Sequence, residues 1–253
     1  MDRYKKILSI RKKLSVGKVS LGSWMQISDP TVAEIIGDSG YDWVAVDLEH
    51  GSFGQSSLNN IFRSLELNNT LPLARIAECN AKDCKLALDA GAGGIIVPMV
   101  ENEKQVKYIR DSCCWPPSGK RGIGFSRANL FGKKFNEYYE ESQSPLLIVQ
   151  IENILAVNNL EKILNIKGVD SILIGPYDLS ASLDITGDFK NPNYLNTLNK
   201  IINICKRNNK SYGIHIVQPS IKELKLKINE GYQFIAYSID SVFMHNSFKK
   251  PIN

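Results

Sequence analysis

Two apolar runs in this chain end in acid. One runs from Leu146 to Glu152 and the other from Ser171 to Asp178, each as an expected strand. Each run reads as a buried strand whose last residues turn polar. In α/β proteins, ligands bind at the carboxyl ends of parallel strands. Two carboxylates brought to that edge from neighbouring strands supply hard oxygen ligands for a divalent cation. Two more strand-like runs end in complementary groups. Residues 43–46 lead into Asp47, Leu48, Glu49 and His50, and the run 71–76 carries Arg75 near its end. A cation on Glu152 and Asp178 would chelate a 2-oxo acid through its carboxylate and keto oxygens and, as a Lewis acid, acidify the adjacent carbon. Arg75 would bind the developing enolate oxygen. His50, as an imidazole, suits acid–base work at neutral pH. Asp47 and Asp89 are candidate supporting acids.

Each residue also has a structural reading. Asp178 can cap a helix, Arg75 can be an ion-pair partner inside the fold, and His50 can be a capping or surface histidine. Asp89 can be a polar residue at a helix end. His215 reads as a pocket-wall or core histidine, and His245 as an inert tail residue.

Strand-like and helix-like segments alternate from end to end. Strands are expected at 19–27, 43–46, 71–76, 95–100, 212–217 and 234–239, besides the two runs above. Helices are expected at 30–36, near Leu58 to Leu65, and at 81–90, 103–113, 194–208 and 221–229. Asp29 caps the first of these and Pro30 opens it. Residues 1–18 read as an amino-terminal helix, and 115–144 as a long active-site loop region. Eight β-α units in about 250 residues specify one (β/α)8 TIM barrel over 1–253. Buried parallel strands are near-continuous apolar runs, as these are. A doubly wound open sheet would want a glycine-rich phosphate loop after its first strand, and none is visible.

Composition excludes several classes. The net charge is +5, with small basic clusters such as Arg11, Lys12 and Lys13 that no aromatic interrupts, so nucleic acid is not an expected partner. No apolar stretch nears the ~20 residues of a membrane span, and the start lacks a secretory apolar region. The five cysteines form no Cys-x-x-Cys pair, so neither a disulfide framework nor a zinc knuckle is expected and the cytoplasm is the simplest compartment.

Five motifs resemble a known family in order and spacing. They are Asp47-Leu48-Glu49-His50-Gly51, Pro72-Leu73-Ala74-Arg75, Val97-Pro98-Met99-Val100, Gln150-Ile151-Glu152-Asn153 and Gly175-Pro176-Tyr177-Asp178-Leu179-Ser180. On these the chain resembles the HpcH/HpaI aldolases, relatives of the citrate lyase β subunit, from about Leu21 to Met244. The resemblance implies a barrel of the phosphoenolpyruvate/pyruvate-binding type and a class II (metal-dependent) aldolase using Mg2+, Mn2+ or Co2+. It would cleave a 4-hydroxy-2-oxo acid, such as a 2-keto-3-deoxy sugar acid, to pyruvate and an aldehyde. By the same resemblance Glu152 and Asp178 hold the metal, Arg75 the pyruvate keto oxygen, and His50 acts as acid–base through a water. Asp89 supports that histidine, often across a subunit interface. Gln150 lies near the pyruvate, whose carboxylate meets the backbone of Gly175, Pro176, Tyr177 and Asp178. A homo-oligomer, trimer or hexamer, is implied. Three departures stand out: Tyr177 is bulkier than usual, Asp184 replaces a frequent glycine, and the closing helix is short or missing. The segments 121–124 and 126–129 resemble a branch holding sugar-acid aldolases and a citrate-forming enzyme. The alternatives are therefore a condensing enzyme using acetyl-CoA and oxaloacetate, or a barrel that has lost catalysis.

Overall fold

In the computed structural model, which describes residues 1–248 and 250, eight strands alternate with helices along the chain. The strands are β1 (Ser20–Met25), β2 (Trp43–Asp47), β3 (Leu71–Arg75), β4 (Gly94–Val97), β5 (Leu146–Ile151), β6 (Ser171–Ile174), β7 (Ser211–Ile216) and β8 (Phe234–Ile239). Each pairs in parallel with the next, and β8 pairs with β1 to close the ring. The expected (β/α)8 barrel is thus the observed one. The helices are α1 (Arg3–Ser15), α2 (Pro30–Asp38), α3 (Gln55–Leu67), α4 (Ala81–Ala90), α5 (Glu103–Cys113), α6 (Phe135–Gln143), α7 (Ile154–Asn158), α8 (Leu160–Leu164), α9 (Pro176–Ala181), α10 (Pro192–Arg207), α11 (Ile221–Asn229) and α12 (Asp240–Ser247). Local chemistry starts them where the sequence says. The Asp29 carboxylate accepts from the N–H groups of Thr31 and Val32 with Pro30 behind it, and Asn102 and Gln105 form a reciprocal capping box on α5.

Side chains alternate across each strand, and that period of two sorts the core into two layers. Val44, Val46, Leu147, Val149, Ile151, Ile172 and Ile174 point outward into the layer shared with the helices. Trp43, Ala45, Leu71, Leu73, Leu146, Ile148, Leu173, Phe234 and Ala236 fill the barrel itself, joined by Ile7, Ile10 and Leu14 of α1. The first helix therefore plugs the amino-terminal end. Each such fully buried aliphatic side chain contributes roughly 1.5–3 kcal/mol. Trp43 lies flat on Phe234, with ring centroids 4.2 Å apart and planes within 3°. Gly22 makes room for it, because a Cβ there would stand 2.1 Å from the Trp43 ring.

The same alternation, continued one or two residues toward the carboxyl ends, aims Gln26, Asp47, Arg75, Gln150, Glu152 and His215 inward at the open mouth. Register adds to this: Asp47 pairs directly with Arg75 across β2 and β3.

The stretch 115–144 departs from the expected active-site loop. It joins α5 to β5, so it lies at the amino-terminal face of its own barrel, opposite the mouth. It is also ordered, holding a turn of 3-10 helix at Arg127–Asn129 and then α6. Arg127 reaches the Glu66 carboxylate at 2.8 Å and the Ala90 carbonyl at 2.7 Å, while Arg3 of α1 reaches Glu141 at 2.8 Å. The closing helix α12 is present but short, with eight residues. No helix among the described residues is long and apolar enough to cross a membrane.

Candidate active site

The mouth holds a cleft of about 320 Å³ lined by Trp24, Gln26, Asp47, His50, Arg75, Gln150, Leu173, the segment 174–178, His215, Val217 and Ile239. Its structural hub is Asp47, wholly buried as the last residue of β2. Arg75 donates to it through Nε at 2.9 Å and Nη2 at 2.6 Å. Trp24 Nε1 donates at 3.1 Å, Gln26 Nε2 at 3.0 Å, and the backbone N–H groups of Glu49 and His50 at 3.1 Å each. Burial alone would raise this carboxyl, but the Arg75 hydrogen bonds and charge outweigh it and hold Asp47 at about 2. The third guanidinium nitrogen, Nη1, lies 2.8 Å from Glu49 Oε2, and the Trp24 ring sits under Arg75 at 5.2 Å. Two carboxylates and an indole thus fix the Arg75 guanidinium.

Glu152 follows β5 and is 2% exposed. Oε1 accepts from the Met99 N–H at 2.5 Å and Oε2 from Gln150 Nε2, which leaves Gln150 Oε1 buried without a partner among the described residues. Burial pushes the Glu152 carboxyl up to about 7, with Met99 opposing and the charges of Asp178 and Glu49 adding to it. Gly175 completes the seat, since a Cβ there would stand 2.6 Å from Glu152 Oε2. Asp178 is exposed on the first turn of α9, a helix whose start has no side-chain cap.

Four carboxylates, Asp47, Glu49, Glu152 and Asp178, therefore crowd one guanidinium. A hard divalent cation would fit this anionic excess, and Glu152 and Asp178 are the residues that would hold it. Among the described residues no three His, Cys, Asp or Glu side chains converge on one metal position. A cation on this pair would thus complete its shell with water and substrate oxygens, as a catalytic site requires.

The remaining expected residues divide. His50 is exposed on the loop after β2 and lines the cleft, as do Gly175, Pro176 and Tyr177. Tyr177, 53% exposed, stands edge-on against Phe189, with centroids 5.0 Å apart. Asp89 is not brought to His50 within one chain. It lies on the last turn of α4, at the amino-terminal face, with its carboxylate 3.6 Å from Arg121 Nη1.

The family model for HpcH/HpaI aldolase/citrate lyase matches residues 20–247. The chain belongs to this family. It is similar to a hydroxypyruvate/pyruvate aldolase of Roseobacter denitrificans, 33% identical over 95% of this chain and 94% of that one. It is also similar to a 2-keto-3-deoxy-L-rhamnonate aldolase of Klebsiella pneumoniae, 31% identical over 92% and 87% of the two chains. Among solved structures it resembles the citrate synthase SbnG, with a TM-score of 0.80 and 25% identity over 94% of each chain. As a member of the HpcH/HpaI family with these relatives, the chain is a carbon–carbon lyase of the aldolase type.

Sequence reasoning left part of this HpcH/HpaI cleft unread. Trp24 and Gln26 stand at the tip of β1, where the strand-end rule that found Arg75 applies equally. Glu49 is adjacent to His50 in the chain, yet only the fold shows it at Arg75. Val217 and Ile239 are apolar wall residues that no motif signals.

Proposed function

We propose that this chain is a class II, metal-dependent aldolase that cleaves a 4-hydroxy-2-oxo acid to pyruvate and an aldehyde. One observation carries the reading: buried Glu152 and neighbouring Asp178 form an anionic pair at the strand tips, facing an arginine whose position two other carboxylates fix. A Mg2+, Mn2+ or Co2+ ion held by Glu152 and Asp178 would supply Lewis acidity to the 2-oxo group. Arg75 binds the keto oxygen and keeps its charge as that oxygen becomes an enolate. His50, through a water, takes the proton of the C4 hydroxyl. The C3–C4 bond then breaks, its electron pair enters the enolate, the aldehyde leaves, and a proton delivered to C3 gives pyruvate. The uncapped first turn of α9, at Gly175, Tyr177 and Asp178, faces the substrate carboxylate, and Gln150 positions Glu152 beside it. Leu173, Val217 and Ile239 limit water.

The working form is a homo-oligomer in which a second copy brings its Asp89 to His50. Asp89 lies at the wrong end of its own barrel for that role. The nearby segment 121–132 also leaves Ile123, Phe125, Leu130 and Phe131 exposed.

Deuterium exchange of the pyruvate methyl in D2O, followed by proton NMR, tests the reading. Exchange with Mg2+ that stops on adding EDTA, and that Glu152→Ala abolishes, is the expected result. Exchange that survives EDTA would remove the metal from the scheme. No exchange at all would sink the pyruvate reading. The likeness to a citrate synthase then favours condensation of acetyl-CoA with oxaloacetate, seen as release of free CoA.

A further inference from the structure

His215 stands inward on β7, lines the cleft, and has no part in the scheme above. Its ring is held on two sides. It stacks on Trp24, with centroids 4.8 Å apart and planes at 28°, the same indole that lies under Arg75. Its Nε2 lies 3.2 Å from the Ser238 carbonyl oxygen. A carbonyl can only accept, so Nε2 carries the hydrogen. That carbonyl belongs to an unusual backbone position. The β1–β8 pairing shifts register beside Trp24, and Ser238 adopts a φ of 59°, a left-handed conformation that a non-glycine residue holds only when its surroundings specify it. The bulge aims the carbonyl at the histidine. Burial, with Arg75 nearby, lowers the imidazole to about 4 against the opposing Ser238 hydrogen bond, so the ring is neutral at pH 7.

A neutral ring with its proton on Nε2 has Nδ1 as a fixed acceptor. No described residue hydrogen-bonds Nδ1. The other residues of this wall, Val217 and Ile239, offer no side-chain polar atom. Gln150 Oε1, in a residue 5% exposed, is a second acceptor without a partner among the described residues. When a 2-oxo acid lies with its oxygens toward Glu152, Asp178 and Arg75, the β7–β8 wall is the side left for the substituent on carbon 3. A methyl group gives these acceptors nothing, whereas a hydroxymethyl group gives one O–H.

We propose that His215 is a specificity-determining residue that accepts, through Nδ1, a hydrogen bond from a hydroxyl on carbon 3 of the 2-oxo acid donor. The proposal rests on the aldolase reading, and its test separates the two. Mg2+-dependent exchange of the carbon-3 protons in D2O is measured for hydroxypyruvate and for pyruvate on the same preparation, so that any misfolded fraction cancels in the ratio of the two kcat/KM values. His215→Leu, which removes the acceptor, is expected to lower the hydroxypyruvate-to-pyruvate ratio about tenfold. His215→Gln, which keeps an amide to donate to Ser238 and an oxygen to accept, is expected to retain part of the preference. An unchanged ratio in His215→Leu overturns the proposal while leaving the aldolase reading in place. Equal loss in both variants assigns the effect to packing on Trp24 and also overturns it. Wild-type protein that exchanges neither compound overturns both readings.

Discussion

Asp47 is where a single atom group decides most about this mouth. Its carboxylate receives six hydrogen bonds, two of them from Arg75. Asp47→Asn keeps the volume but replaces one acceptor with a donor facing Arg75, which cannot accept. Arg75 then keeps one of its two bonds to residue 47, beside Glu49, and loses its bidentate orientation. We expect kcat to fall roughly 10–100-fold, the usual cost of losing the group that orients a reacting side chain, with KM for the 2-oxo acid less affected. Steady-state kinetics beside a thermal melt would check this, and activity within about twofold of wild type would show that the remaining bond and Glu49 suffice. At this scale the sequence indicates which strand ends carry charge. Glu152, Asp178, Arg75 and His50 stand out because each is a charged or titratable group at the end of an apolar run, although each alone also has a structural reading. The contacts among them were not legible. Whether Asp47 served His50 or Arg75 depends on the β2–β3 register, a long-range property that neither segment encodes by itself.

The strands and helices were read more fully than the contacts. The limits of α4, α5, α11 and β8 fall where periodicity and capping residues put them. The other strands differ from expectation by a residue or more at an end, because pairing with a neighbour, and not composition, sets where a ladder stops. The short helices α7, α8 and α9 left little periodic signal, being too brief for an apolar stripe to repeat. Gly22 is an element-scale feature with a clear test. Its missing side chain lets Trp43 cross the barrel floor onto Phe234, and Gly22→Ala would overpack that floor by a methyl group at 2.1 Å from the ring. Overpacking costs about 1–3 kcal/mol, which lowers Tm by roughly 2–4 °C per kcal/mol in a chain of this size. Calorimetry should show the drop, and pairing the change with Trp43→Leu should recover much of it. A Gly22→Ala variant as stable as wild type would mean that the floor has slack.

The whole molecule decides on which face of its own barrel 115–144 lies. A long irregular stretch invites an active-site reading, but strand–helix order assigns every helix-to-strand connection to the amino-terminal face, whatever its length. The assembly proposed above reconciles the two, since one chain's amino-terminal face can meet another's mouth. Sedimentation velocity should find wild type larger than a single chain. Phe125→Asp combined with Phe131→Asp should release single chains, with activity down about tenfold or more through loss of the acid behind His50. A fully active wild-type monomer would end that account. The seam between β1 and β8 has one more consequence, in time rather than space. Residues 20–25 are synthesised more than two hundred residues ahead of their partners at 234–239. Until β8 exists, Trp43 has no Phe234 to cover it, Trp24 no completed ring to lie in, and His215 no Ser238 carbonyl to hold its proton. Such distant pairings are slow to form and leave apolar surface uncovered while they wait. A growing chain therefore carries Arg75 and Glu152 without a complete mouth to hold them until β8 closes the ring.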